Sequence, residues 1–175
     1  MIVEHRRHRR HPVLQSISIR KATPDDAPGI LECLRLAFEP YRESYTPSAF
    51  EDTVMSPSAI RHRLTGMSVF VAVTEAGEIA GTIGCTAVAG GEGHIRGMAV
   101  HPARAGTGLA RLLLEAVEAE LGRRGCTRVT LDTTQPLERA IRFYVRNGFQ
   151  STGVVRDFFG MPLFEYAKDL RESSR

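Results

Sequence analysis

The residues best suited to chemistry lie together in the run GMAVHPARAGTGLAR, Gly97 to Arg111. An apolar strand end, Met98, Ala99 and Val100, is followed by a turn at His101 and Pro102. Gly106, Thr107 and Gly108 then open a long amphipathic helix. The first turn of a helix carries free N–H groups and the positive end of the helix dipole. Two glycines there leave the amides open to a phosphate or pyrophosphate. Two other phosphate loops fit poorly. The P-loop needs a Lys after its last glycine, and neither glycine has one. The dinucleotide fingerprint GxGxxG comes closer, because GTGLAR has its first two glycines and Asp132 ends the next strand. Arg111, however, occupies the place of the third glycine, where a bulky side chain spoils close helix–strand packing. The strands before the turn also pair as hairpins rather than βαβ units, which argues against a nicotinamide or flavin site.

Hydrophobic periodicity places these residues on elements. SISIRKA alternates and predicts a first strand. TPDDAPGILECLRLAF predicts a helix with Thr23 as N-cap and Pro24 at N1, its apolar face made by Ile30, Leu31, Leu34 and Phe38. PSAFEDTV and SPSAIRHRLTG predict two short helices, the second capped by Ser56. SVFVAVTEAGEIAGTIGCTAV predicts two strands around a turn at Glu75–Glu78, and HIRGMAV a fourth strand. TGLARLLLEAVEAELGRRG predicts the long helix, with Leu109, Leu112, Leu113, Ala116, Val117 and Leu121 facing inward. TRVTLDT, PLERAIRFYVRNG, FQSTGVVRDF and PLFEYAKDL follow as strand, helix, strand and strand. The strand–helix–strand crossover around the long helix makes strands four and five parallel, and the other neighbours are antiparallel. The expected fold is α+β in three layers (α/β/α). It has a mixed, mostly antiparallel sheet of six to seven strands with helices on both faces. The expected domain runs over residues 16–172, behind a disordered basic tail at 1–15.

The bulk numbers narrow the classes. The chain has 175 residues, enough for one domain with a real core. Net charge is +3, and the first fifteen residues account for it, with four arginines against Glu4. The high pI therefore belongs to the tail, and no nucleic-acid role is expected beyond it. Its His5, His8 and His11 could hold a stray ion, but no metal site is expected. No apolar run is long enough to span a membrane, and no secretory signal is expected. Cys33, Cys85 and Cys126 are odd in number and lack CxxC spacing, which fits reduced thiols and a cytoplasmic location. Cys33 and Cys85 sit in apolar patterns and are expected to be buried, whereas Cys126 follows a glycine and is expected to be partly exposed.

The sequence resembles the GNAT superfamily of acyl-CoA-dependent N-acetyltransferases. Two stretches carry the resemblance. One is Val100-His101-Pro102 followed by Ala105-Gly106-Thr107-Gly108-Leu109-Ala110, similar to the family's V-x-P strand end and Gln/Arg-x-x-Gly-x-Gly/Ala loop. The other is AIRFYVRNGF, similar to the family's A-x-x-F/L-Y-x-x-x-G-F helix. The likeness extends from about Ile17 to Leu170. One departure is Ala105, where the family has Gln or Arg, with Arg104 and Arg111 nearby to supply the charge.

The resemblance implies acetyl transfer from acetyl-CoA to an amine. It implies cofactor contacts from Met98, Ala99, Val100, Arg104, Ala105, Gly106, Thr107, Gly108, Leu109, Ala110 and Arg111. Strands four and five would splay, and the pantetheine arm would lie between them along the backbone of Met98 and Val100, with the Met98 amide on the thioester oxygen. Tyr144 matches the family's general-acid tyrosine; by periodicity alone it is an aromatic on the apolar face of its helix, beside Ala140 and Ile141. His94 stands where several members carry a glutamate base, and an imidazole with an ordinary pKa of about 6.5 suits that work; otherwise it is a strand-edge histidine. Glu92 and Asp132 are alternatives. The acceptor pocket would draw on Phe38, Tyr41, Arg42, Tyr45, Asp157, Phe158 and Phe159. A small-molecule amine is the expected acceptor. A protein N-terminus or lysine is a second reading, and a non-catalytic acyl-CoA-binding module is a third, suggested by Ala105 and the absent glutamate. The family allows a homodimer, which no residue demands.

Overall fold

A computed structural model of the chain describes residues 16–170. The expected tail over 1–15 and the last two residues of the expected domain lie outside the described residues. The strands are β1 (Ile17–Lys21), β2 (Ser68–Thr74), β3 (Ile79–Val88), β4 (Glu92–Val100), β5 (Arg128–Thr134), β6 (Gln150–Phe158) and β7 (Met161–Asp169). The helices are α1 (Ala27–Phe38), α2 (Pro47–Val54), α3 (Pro57–Gly66), α4 (Leu109–Arg123) and α5 (Glu138–Arg146). The strands form one seven-stranded sheet in the order β1-β2-β3-β4-β5-β7-β6. Only β4 and β5 run parallel, as their crossover through α4 requires. This is the expected mixed α/β/α architecture.

Local chemistry sets the element ends. Thr46 and Ser56 cap α2 and α3 by accepting from the amides of Ala49 and Ala59, with Pro47 and Pro57 at the first helical position. The start of α1 is tighter than expected: Pro24–Asp26 form a 3₁₀ turn, and the regular helix begins at Ala27. The Asp26 carboxylate accepts from Thr23 N at 2.7 Å and takes both ends of the Arg20 guanidinium at 2.7 and 2.9 Å, tying β1 to this turn.

Helices cover both sheet faces. On one face α4 and α5 pack Leu109, Leu113, Leu114, Val117, Leu121 and Tyr144 onto Ile83, Ile95, Val129 and Leu131. Each fully buried Leu or Val there stabilises the fold by about 1.5–3 kcal/mol. Leu112, expected inward, is 47% exposed, and Leu114 takes its place in the core. On the other face α1 and α3 bury Ile30, Cys33, Leu34 and Ile60 against Val69 and Val71. Cys126 is also buried, contrary to expectation, beneath the turn that enters β5.

A buried carboxylate secures the first edge of the sheet. Glu120, on the inner face of α4, accepts from Lys21 of β1, Ser68 of β2, Arg123 and Arg124. These donors, Arg123 first, hold its pKa down to about 2.

A split sheet and two joined hollows

The site begins with a fault in β4. Between its pairings with Gly84 and Thr82 of β3, β4 advances from Arg96 to Ala99, one residue more than its partner. Such a bulge shifts side-chain alternation by one place. Gly97 supplies it with φ +65°, which favours glycine, and any side chain there would collide with the Arg63 guanidinium. Before the bulge, Ile95 packs with α4 and α5 and His94 lines the opposite side; after it, Met98 and Val100 pack with α4 and α5.

β4 also parts from β5. Their parallel pairing covers only Glu92–Ile95 against Arg128–Leu131. Beyond it, Met98 and Val100 have no strand on the β5 side. His101 N donates to Ala80 O of β3 at 2.8 Å, and backbone groups alternate sides along a strand. The N–H groups of Met98 and Val100 therefore point into the gap.

The gap opens into a groove of about 800 Å³ that reaches the start of α4. Gly106 (φ +74°) and Gly108 (φ +85°) are both left-handed, so the turn itself needs them as well as the approach to its amides. Nothing lies within 4 Å of where a side chain on either would begin. The loop uses the N–H groups of Arg104, Ala105 and Thr107 for its own bonds, and Leu112 N makes the first bond back into the helix start. Among the described residues, the amides of Gly106, Gly108, Leu109, Ala110 and Arg111 have no acceptor. A cluster of free N–H groups at a helix N-terminus fits an anionic diphosphate. Arg139, Arg142 and Arg146 of α5 line the same groove and add positive charge. Sequence reading missed them, although their i, i+3, i+7 spacing places them on one helix side.

Not all the expected cofactor residues act alike. Met98, Ala99, Val100, Arg104, Ala105, Gly106, Gly108, Leu109, Ala110 and Arg111 line the groove. Thr107 does not: its hydroxyl donates to Arg104 O at 2.6 Å and serves the turn. The Leu109 side chain belongs to the core, leaving only its backbone for a ligand. Arg111 pairs with Glu115 at 3.0 Å.

A second hollow of about 330 Å³ lies beside the groove, on the α1–α3 side of the split. Phe38, Met98, Leu137 and Tyr144 line both hollows and form their junction. Tyr144 is buried and stacks edge-on with Phe143 and Phe149. Its hydroxyl donates to Met98 Sδ at 3.4 Å, and burial pushes its pKa up. Its proton is thus held at the junction. In the second hollow, His94 Nδ1 lies 2.8 Å from Thr130 Oγ1, and Nε2 lies 3.6 Å from Asp132 Oδ2. Burial lowers the His94 pKa, against the pull of Asp132. His94 sits on a central strand rather than at a sheet edge. Glu92 is spent on Arg128 at 2.7 Å and lines neither hollow. Asp132 lines the second hollow but is tied to Arg156 at 3.1 Å.

The expected acceptor residues divide. Phe38, Tyr45 and Phe158 line the second hollow, while Tyr41 lines the groove. Arg42 pairs with Glu39 and stacks on the Phe50 ring at 4.2 Å. Asp157 and Phe159 line neither hollow, and Phe159 is 53% exposed. The charged groups that do line the hollow are Arg63, Arg96, Asp52 and Asp132. Arg63 and Arg96 were missed because they lie in a short polar helix and an ordinary strand, with no spacing that marks them. Among the described residues no three His, Cys, Asp or Glu side chains are grouped to hold a metal ion.

Comparison with known proteins agrees with this geometry. The family model described as the acetyltransferase (GNAT) family matches residues 30–149. The PaiA N-acetyltransferase of Thermoplasma acidophilum, solved in complex with coenzyme A, is similar with a TM-score of 0.74 at 20% identity, over 88% of this chain and 99% of that one. A GCN5-related N-acetyltransferase from Rhodopseudomonas palustris is similar with a TM-score of 0.72 at 22% identity, over 91% of this chain and 99% of that one. The ribosomal-protein-S18-alanine N-acetyltransferase of Escherichia coli is similar with a TM-score of 0.70 at 20% identity, over 89% of this chain and 94% of that one.

Proposed function

This chain belongs to the acetyltransferase (GNAT) family, and from that premise we propose that it moves an acetyl group from acetyl-CoA to the primary amine of a small molecule. The free amides at the start of α4, the arginines of α5 and the open edge of β4 suit a diphosphate with an amide-bearing arm. Bound there, acetyl-CoA would supply an activated acyl group. The four residues shared by the two hollows mark where that group and the amine would meet.

One observation carries the small-molecule reading. The Tyr45 hydroxyl bonds Thr134 Oγ1 at 2.6 Å, and Thr46 Oγ1 donates to Phe159 O at 2.7 Å. These bonds fasten the segment between α1 and α2 onto β5 and the β6–β7 turn. Tyr45, Ala49, Phe50 and Met161 pack beneath them. The second hollow is thus walled on that side, and an extended peptide entering between these segments would have to part this wall. The E. coli neighbour is named for a protein acceptor, which would need an open trough.

Each step has a residue to serve it. The amine must shed a proton, and a neutral His94 can take it directly or through water. Thr130 Oγ1 lies 3.4 Å from Gly93 O, so its hydroxyl can donate there and accept from Nδ1–H. Nε2 then keeps its lone pair, and Asp132 favours the cation that forms. The Met98 amide, aimed into the gap, stabilises charge on the thioester oxygen. The N–C bond forms as the C–S bond breaks, Tyr144 gives its proton to the departing thiolate, and the second proton, shed by the nitrogen as it becomes an amide, restores the phenol through water.

Thermal unfolding with acetyl-CoA, with NAD and ATP as controls, tests the cofactor. A ligand at about 100 times its Kd adds roughly 2.7 kcal/mol, so a rise in Tm is expected with acetyl-CoA alone. Thiol release with a panel of small amines and matched peptides tests the acceptor. Faster turnover of peptides would overturn the small-molecule reading. Binding of acetyl-CoA without thiol release on any amine would favour a non-catalytic module.

A further inference from the structure

Among the described residues, Arg63 is a cation without a partner, and it lines the second hollow. It lies on α3, partly buried, beside the β4 bulge at Gly97. It forms no hydrogen bond or ion pair with any described residue. The charges that act on it are Asp52, beyond ion-pair distance, and Arg96, which opposes it. Burial and Arg96 pull its pKa from 12.5 to about 10, still charged at neutral pH. A sequestered guanidinium without a counter-ion is costly, and a charge-assisted bond to an anion recovers that cost.

A second observation concerns the other charges of the same hollow. The charges that line it are of both signs: Arg63 on α3 and Arg96 on β4 are positive, whereas Asp52 on α2 and Asp132 on β5, which also binds Arg156, are negative. Asp132 lies 3.6 Å from His94, so a molecule with an anionic group at Arg63 and an ammonium group toward His94 would meet opposite charge at both ends.

We propose that the acceptor is a small amino acid, or a like amine bearing a carboxylate, whose carboxylate is held by Arg63 while its amino group lies toward His94. This deepens the N-acetyltransferase reading and rests on it. Gly97 has a part as well: the absence of a side chain there gives Arg63 its place next to Met98.

The test is calorimetric titration of the CoA-loaded protein, where no turnover occurs. The probes are the common α-amino acids, β-alanine and 4-aminobutyrate, each beside its own carboxamide. At least one acid is expected to bind on the order of tenfold or more tighter than its amide. Arg63→Met should abolish that preference and Arg63→Lys should keep part of it. Both variants should melt near the parent temperature and keep the shift given by acetyl-CoA. Equal binding of acids and amides, failure of every acid to bind, or a preference that survives in Arg63→Met overturns the proposal. Thiol release from acetyl-CoA, measured in parallel, separates the two readings. Turnover of plain amines without a carboxylate preference removes the acceptor class and leaves the transferase. Arg63-dependent binding of acids with no thiol release on any amine removes the transferase.

Discussion

A base that must accept a proton from an ammonium group is useful only while it is itself neutral. Burial depresses the His94 pKa below 6.5, so His94 is neutral at pH 7 and charges only as the pH falls through its lowered value. The acid limb of kcat/KM that belongs to His94 should therefore lie below pH 6.5, apart from any limb set by the substrate amine. His94→Gln should lose that limb and lower kcat at pH 7 by about 100-fold. A pH–rate profile of both proteins checks this, and an unchanged limb would exclude His94. Tyr144→Phe keeps the ring stack and removes the donor to Met98. It should lower kcat by about 10- to 100-fold with little change in KM or Tm, since the lost bond goes to sulfur. A purely packing tyrosine would leave kcat intact. At this scale the sequence was readable where a backbone turn constrains it, as at Gly106 and Gly108, or where a motif surrounds a residue, as at Tyr144. Arg63 was not readable, since it reaches the hollow from an earlier helix across a gap left by a glycine 34 positions away in the chain.

Among the elements, the loop into α4 and the tie beneath it behave differently. Gly108→Ala would force an alanine to φ +85° in open space, so the cost is in the backbone alone, about 1–2 kcal/mol. The loop would relieve it by moving its amides. KM for acetyl-CoA should rise on the order of tenfold, with a smaller effect on kcat. Steady-state kinetics with acetyl-CoA varied would show whether the amides matter. Glu120 concerns stability. Its folded pKa of about 2 lies below the ordinary 4.5, so its contribution is complete above pH 4.5 and fades as the pH falls toward 2. Its exposed arginine partners are screened by water, which leaves about 2 kcal/mol at neutral pH. Glu120→Gln should lower Tm by about 4–8 °C at pH 7 and by less at pH 3. Equal losses at both pH values would place the effect in packing instead. Element order was legible because hairpin turns and helix caps are local. The inward face of α4 was only half legible: Leu112 fits the helical period as well as Leu114 does, and the sheet alone decides between them. The Gly97 bulge leaves no mark that separates it from any strand glycine.

For the whole molecule, the architecture followed from one topological fact, the parallel crossover through α4, because it splits a run of antiparallel neighbours at a known place. What lay beyond sequence was the depth of the split and which charges line it, since both depend on pairings far apart in the chain. The shortness of the β4–β5 pairing has a mechanical consequence. Strands β1–β4 and strands β5–β7 pair over four residue pairs, so the sheet is two plates on a short hinge, bridged on one face by α4 and α5, and each plate can open with its own free energy. A ligand laid along the free edge of β4 would lengthen the seam and couple the plates. Without it, native-state hydrogen exchange should resolve two cooperative units, with the β6–β7 ladder opening before the β2–β3 ladder. With saturating acetyl-CoA the two should merge toward one, and the amides of Met98 and Val100 should slow most. Exchange that is already uniform in the free protein would mean that the hinge is stiff and that the coenzyme adds affinity without adding cooperativity.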